Sequence, residues 1–135
     1  MYVKKIMSLF LSLILVFGMM SIPILAASKP LEGEAVPYWQ NIATMKAKCS
    51  ISQNNVKISA NVSSTKVGAS IDGTLYLEEK NGNTWNEVTS WSFQGTDIVS
   101  LQKTYPYSNG KTYRSKVEVY VDGEYAVSYS SQVKK

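Results

Sequence analysis

Glu78 and Glu87 stand on either side of Asn81-Gly82 and are the pair of acids whose spacing suits chemistry. A hairpin folded at that turn brings them toward each other across two strands, as the two carboxyls of a glycosidase must be. Such enzymes hold the pair in a deep cleft, and a small domain with short loops has little room for one, so the expectation is a protein without catalysis. The chain has no histidine, which excludes Ser-His and Cys-His nucleophiles and histidine-based metal sites. No glycine-rich loop leads into a helix to cradle phosphate. Asp72, Asp97 and Asp122 read as solvated residues of separate turns and make no calcium cage. No metal and no cofactor is expected. The single cysteine, Cys49, shares parity with Met45, Ala47 and Ile51 and reads as a buried thiol acting as a small apolar residue.

What remains are side chains that bind. Trp85, Trp91 and Phe93 share parity on one predicted strand, whereas Val88 has the opposite parity. A three-residue loop at Asn81-Gly82-Asn83 turns both tryptophans inward with Leu75 and Leu77. A two- or four-residue loop turns them outward beside Tyr76, as a flat aromatic platform suited to sugar rings, aromatic ligands or another protein. A bulge between Glu87 and Ser90 satisfies both halves, and ordinary burial favours Trp91 inside with Trp85 partly exposed. Arg114, the only arginine, projects from an outward face beside Lys116. It serves as a cross-strand ion pair, as a cover over aromatic rings, or as the anchor for an acidic partner. Trp85, Trp91, Tyr76 and Arg114 are thus the candidate ligand-binding residues.

The elements that carry them are strands. Apolar residues alternate with polar ones from Thr44 to Ile51, from Val56 to Ser63 and from Ile71 to Glu78, the period of two of a half-buried strand. Thr84 to Phe93, Val99 to Tyr105, Lys111 to Val121 and the run after Gly123 complete seven strands, with turn residues between them and no helical period. The fold class expected is all-β: a seven-stranded antiparallel β-sandwich of the immunoglobulin or fibronectin III kind. In the last hairpin, burial of Tyr113, Val117, Val119 and Val121 on one face predicts a three-residue turn, Val121-Asp122-Gly123, with a G1 bulge. That register pairs Val119 with Tyr125 and Val117 with Val127.

Tyr113 opens the sixth strand, where immunoglobulin-like domains set a corner tyrosine whose hydroxyl bonds back to nearby backbone. The run Tyr113 to Val121, its turn and the serine-rich last strand resemble the closing hairpin of a fibronectin type III domain. Trp85, Ser90-Trp91 and Gly110-Lys111-Thr112-Tyr113-Arg114, with the N-terminal segment, resemble a family of short exported proteins of unknown function from Gram-positive, clostridia-type bacteria. That resemblance spans roughly Ile42 to Val133. It implies export and a single β domain, and brings no catalytic or binding residues.

The N-terminal segment reads as a secretory signal peptide over residues 1–27, with Lys4 and Lys5, an apolar run from Ile6 to Met20, and small residues at Ala26-Ala27-Ser28. Uncleaved, Ile6 to Leu25 is long enough to anchor the chain in a membrane, the one membrane contact expected. Residues 28–41 read as an extended lead-in and residues 42–135 as the sandwich, one domain of ordinary size. The formal net charge is +4, and removal of Lys4 and Lys5 halves it. The remaining basic residues are scattered along the sequence, so no nucleic-acid partner is expected. The function expected is a non-catalytic domain, secreted to the medium or the cell wall, that contacts an extracellular protein or glycan. The alternatives are carbohydrate or wall-polymer binding through the Trp/Tyr platform, or a structural subunit that self-associates along a sheet edge.

Overall fold

The computed structural model describes residues 38–135. The signal peptide expected at 1–27 and most of the lead-in expected at 28–41 lie outside the described residues. Seven strands follow in order: β1 (Ile42–Ser52), β2 (Asn55–Ser64), β3 (Ser70–Asn81), β4 (Thr84–Thr96), β5 (Ile98–Pro106), β6 (Tyr113–Val121) and β7 (Glu124–Tyr129). They form two antiparallel sheets, one of three strands in the order β1-β2-β5 and one of four in the order β4-β3-β6-β7. The described chain is an all-β sandwich.

The alternation of each central strand explains the pairing of the sheets. Val56, Ile58, Ala60 and Val62 of β2 are buried, as are Ile71, Leu75 and Leu77 of β3 and Val117, Val119 and Val121 of β6. A strand can bury one parity only against a second sheet, because its other parity faces the opposite way. Gly73 interrupts the apolar row of β3 for a steric reason. It pairs with Phe93, and a Cβ there would meet both the Phe93 ring and the Glu118 carbonyl at 2.6 Å. Tyr113 is fully buried, lies edge-on to Tyr107 and accepts a hydrogen bond from the Ser108 amide on its hydroxyl at 3.3 Å. Cys49 is half-buried, and burial pushes its thiol up to about 11, which leaves it protonated and a weak nucleophile.

The last hairpin departs from the expected register. Val121 pairs with Glu124 and Val119 with Ala126, so the loop is the two-residue Asp122-Gly123. Both residues have positive φ, 46° and 82°, the type I′ geometry whose twist suits a hairpin. The register follows from what waits at each side of β7. Inward, the strand needs only Ala126 to close the core. Glu124 is placed to accept the amide hydrogens of Gln40, Asn41 and Ile42 at 2.8, 2.8 and 3.2 Å, donors at the chain's entry into the sheet that need an acceptor. Those bonds hold the Glu124 carboxyl below the usual carboxylate range. Outward, Tyr125 and Tyr129 meet aromatic and cationic neighbours.

Asp97 and Asp122 are likewise more than solvated turn residues. The Asp97 carboxylate accepts the amides of Gly68 and Ala69 at 2.5 and 3.1 Å, and that of Asp122 accepts the Ser70 amide at 2.9 Å. Both hold loops of the sandwich in place. Folding also sorts the charges that are scattered in sequence. The strands of the three-stranded sheet carry four lysines and no carboxylate, and those of the four-stranded sheet carry six carboxylates against three cations.

Candidate functional site

The outward parity of the four-stranded sheet assembles a face of aromatics and charges in rows that cross the strands. Asp72 pairs with Tyr120, which pairs with Tyr125; Tyr76 pairs with Lys116, which pairs with Tyr129; Glu78 pairs with Arg114 on one side and Glu87 on the other. Cross-strand neighbours of this kind are close enough to touch.

A two-residue loop sets Trp85 on this face, and a bulge beyond it turns Trp91 the other way. Near the turn the loop is Gly82-Asn83, and Asn81 pairs with Thr84, Lys80 with Trp85 and Glu78 with Glu87. Val88 then has no partner, and beyond it Leu77 pairs with Thr89 and Leu75 with Trp91. One extra residue reverses the parity of everything past it. Trp91 and Phe93 therefore turn inward, and Trp91 packs against the core. The candidate set loses Trp91 and keeps Tyr76, Trp85 and Arg114; no platform contains both tryptophans.

Arg114 is the hub. Its Nε donates to Oε2 of Glu78 at 2.6 Å, and its guanidinium carbon lies 4.2 Å from the centre of the Trp85 ring and 4.4 Å from that of Tyr129. Trp85 comes in from β4 and Tyr129 from β7, the two outer strands of the sheet. A planar cation against aromatic rings gains from their electron-rich faces, more so where water is partly excluded. Glu78, 7% exposed, is the buried anion beneath. Its other oxygen lies 3.8 Å from Lys116 Nζ.

Lys116 builds a second unit beside the first. Its ammonium is 4.2 Å from the centre of the Tyr76 ring and 2.9 Å from Oε1 of Glu118, and Tyr76 donates its hydroxyl to the other Glu118 oxygen at 3.1 Å. The bond to Lys116 pulls the Glu118 carboxyl below its ordinary range, against partial burial. Burial alone would lower Lys116, but its contacts with Glu118 and Glu78 leave it above the usual lysine range. Burial and the bond to Glu118 raise Tyr76.

The sequence reading missed the tyrosines. Tyr120 and Tyr125 have ring centres 5.0 Å apart, and Tyr120, Tyr125 and Tyr129 are 54%, 50% and 52% exposed. The expected register turned Tyr125 and Tyr129 inward; the signal that places them outside is the Asp-Gly dipeptide, the strongest mark of a two-residue loop. Glu78 and Glu87 are cross-strand partners as expected, but the Glu78 carboxylate is engaged by Arg114 and the pair lies on an open sheet face. Among the described residues no group of three His, Cys, Asp or Glu side chains is placed to hold a metal ion.

No family model matches the chain. No curated protein matches it. Among solved structures it is similar to the solution structure of R. palustris CsgH, at 11% sequence identity and a TM-score of 0.47, over 64% of this chain and 88% of that one.

Proposed function

We propose that this protein is a non-catalytic, exported β-sandwich that binds another protein through the outward face of its four-stranded sheet. The observation that carries the reading is the row of half-exposed tyrosines, Tyr120, Tyr125 and Tyr129, contiguous with an arginine already locked by Glu78, Trp85 and Tyr129. Tyrosine, tryptophan and arginine dominate the energetics of protein interfaces, and side chains held in place before binding lose little entropy when they bind. A cation lies over the rings of Trp85, Tyr129 and Tyr76 alike. Face-on stacking of a sugar would compete with those cations, which favours a protein over a glycan at this face. The commitment of Glu78 to Arg114 supports a binding rather than a catalytic role for the carboxylates.

The strand order supports the finer fold reading. In constant-type immunoglobulin domains the fourth strand lies in the sheet of the first two; here it stays hairpin-paired to β3 in the other sheet. With the Tyr113 corner bond to Ser108 and no disulfide framework, the fibronectin III-like member of the class is favoured. Export rests on residues 1–27, whose lysines, apolar run and small residues have the pattern of a signal peptide.

A photo-reactive benzophenone side chain in place of Tyr125, irradiated in the producing culture, is expected to give one discrete protein adduct. The same side chain in place of Ser100, on the other sheet, is expected to give no protein adduct. Equal protein adducts at both positions, or none at either, would overturn the reading, and an adduct at Tyr125 with carbohydrate alone would replace the protein partner with a glycan.

A further inference from the structure

The opposite outward face, that of the three-stranded sheet, has a different composition and a groove of its own. Pairing sets Lys46 beside Asn61 and Ser100, Lys48 beside Ser59 and Gln102, and Ser50 beside Lys57. Lys46, Lys48 and Lys57 are exposed, and among the described residues none of them is in an ion pair. A groove of about 370 Å³ runs over β2, lined by Lys48, Lys57, Ser59, Asn61, Ser100 and Gln102. Its floor is made by the short side chains of the middle strand, with the Ser100 hydroxyl bonded to Asn61 Oδ1 at 2.5 Å. Its walls are the longer side chains of β1 and β5.

We infer that this groove binds an anionic polysaccharide. The strands of this sheet contain no carboxylate, so nothing in the sheet offsets the lysines, and an anionic ligand meets an attractive field along the whole groove. Lys46 and Lys48 are two residues apart on one strand, about 6.7 Å at the usual rise, and Lys57 continues the line on the next strand. That geometry suits charges repeated along a chain better than one compact anion. Between the lysines the outward side chains are hydroxyls and amides, which pair with the hydroxyls of a sugar backbone. Ile58 and Leu101 also border the groove, but Ile58 is buried and Leu101 packs against the core. The groove thus has no aromatic side chain and no exposed aliphatic one of the kind that anchors a protein interface or a membrane-inserting surface. Polymer and protein therefore take opposite faces, and the two sites are independent.

The test is binding of the full chain to dextran sulfate, polygalacturonate and neutral dextran at low salt. Both acidic polymers are expected to bind and neutral dextran is not, with affinity falling as salt rises. Lys48→Gln with Lys57→Gln is expected to weaken binding at least tenfold, with the melting temperature unchanged because both residues are exposed. Lys80→Gln with Lys111→Gln removes the same charge elsewhere and is expected to have much less effect. Trp85→Ala, which disturbs only the other face, is expected to bind the polymers normally and to lose the Tyr125 adduct, so failure of one site is told apart from failure of the other. Equal loss from the two lysine pairs, or no loss from Lys48→Gln with Lys57→Gln, would overturn the inference. So would neutral dextran binding as well as the acidic polymers. Equal affinity for duplex DNA or for phosphatidylglycerol vesicles would overturn it in favour of a general polyanion or membrane surface.

Discussion

The two outward faces of this sandwich rest on the same kind of core yet treat charge in opposite ways. On the four-stranded sheet every cation of the Arg114 and Lys116 units touches both a carboxylate and an aromatic ring. On the three-stranded sheet the exposed lysines stand among serines, an asparagine and a glutamine, with no acid on their strands. The first face holds its charges by internal contacts, which makes a stiff surface that a partner can meet without reordering it. The second leaves its charges in water, where they cost the fold nothing and remain available. A charge tied into the structure contributes to stability, and one left in water contributes little to it.

The sharpest way to break that contrast is to remove the hub. Arg114→Ala leaves the buried Glu78 carboxylate with only Lys116 at 3.8 Å and takes a packed guanidinium from two rings. Loss of one partner of a buried ion pair costs several kcal/mol, and with Arg114 itself partly solvated the expected loss is about 2–4 kcal/mol in denaturant unfolding. Lys57→Ala, an exposed residue of the other face, is expected to stay within about 0.5 kcal/mol. Equal costs for the two substitutions would show that the faces do not differ in the way described.

A smaller effect tests whether the rings belong to the same unit. Trp85→Ala is expected to cost about 1–2 kcal/mol and Tyr129→Ala about 1 kcal/mol, since each loses a contact with the guanidinium and some packing. Each should couple to Arg114→Ala in a double-mutant cycle by about 0.5–1 kcal/mol, whereas Tyr129→Ala and Lys57→Ala should be additive. Additivity of Trp85→Ala with Arg114→Ala would mean that the ring merely lies near the cation.

How much of this was legible in the sequence depends on which neighbour decides a side chain's position. Strands β1, β2 and β6 follow from alternation because the choice between core and water is made within each strand. The opposite orientations of Trp85 and Trp91 were legible as a conflict of parity with Val88, and a bulge resolves it. The register of β7 was misread because Tyr125, Val127 and Tyr129 look like a core row. A tyrosine serves on either side of a sheet, however, and here cations and a neighbouring ring outside compete successfully with the core. The bonds of Glu124 to Gln40, Asn41 and Ile42 join residues more than eighty positions apart, and no local pattern announces them. The lysine groove was obscured in the same way: Lys48 and Lys57 become neighbours only when β1 folds onto β2.

The smallest effect expected is in pH, and it separates the faces by charge alone. The Glu118 carboxyl titrates below its ordinary value of 4.5 in the folded protein. Its contribution is therefore complete above that value and is lost as pH falls through the depressed one. Lys116 titrates above its ordinary 10.5, so its contribution is complete below that pH and is lost as pH rises through the elevated one. Thermal melts of the wild type should accordingly show a plateau with an acid arm and an alkaline arm. Glu118→Gln is expected to flatten the acid arm by on the order of 0.5–1 kcal/mol, the scale of a solvent-accessible ion pair, and Lys116→Met to flatten the alkaline one. Lys48→Gln with Lys57→Gln should change neither arm, because among the described residues neither lysine is in an ion pair. If that pair of substitutions shifts the melts with pH as Glu118→Gln does, the three-stranded face also binds its charges within the fold, and the contrast between the two faces is lost.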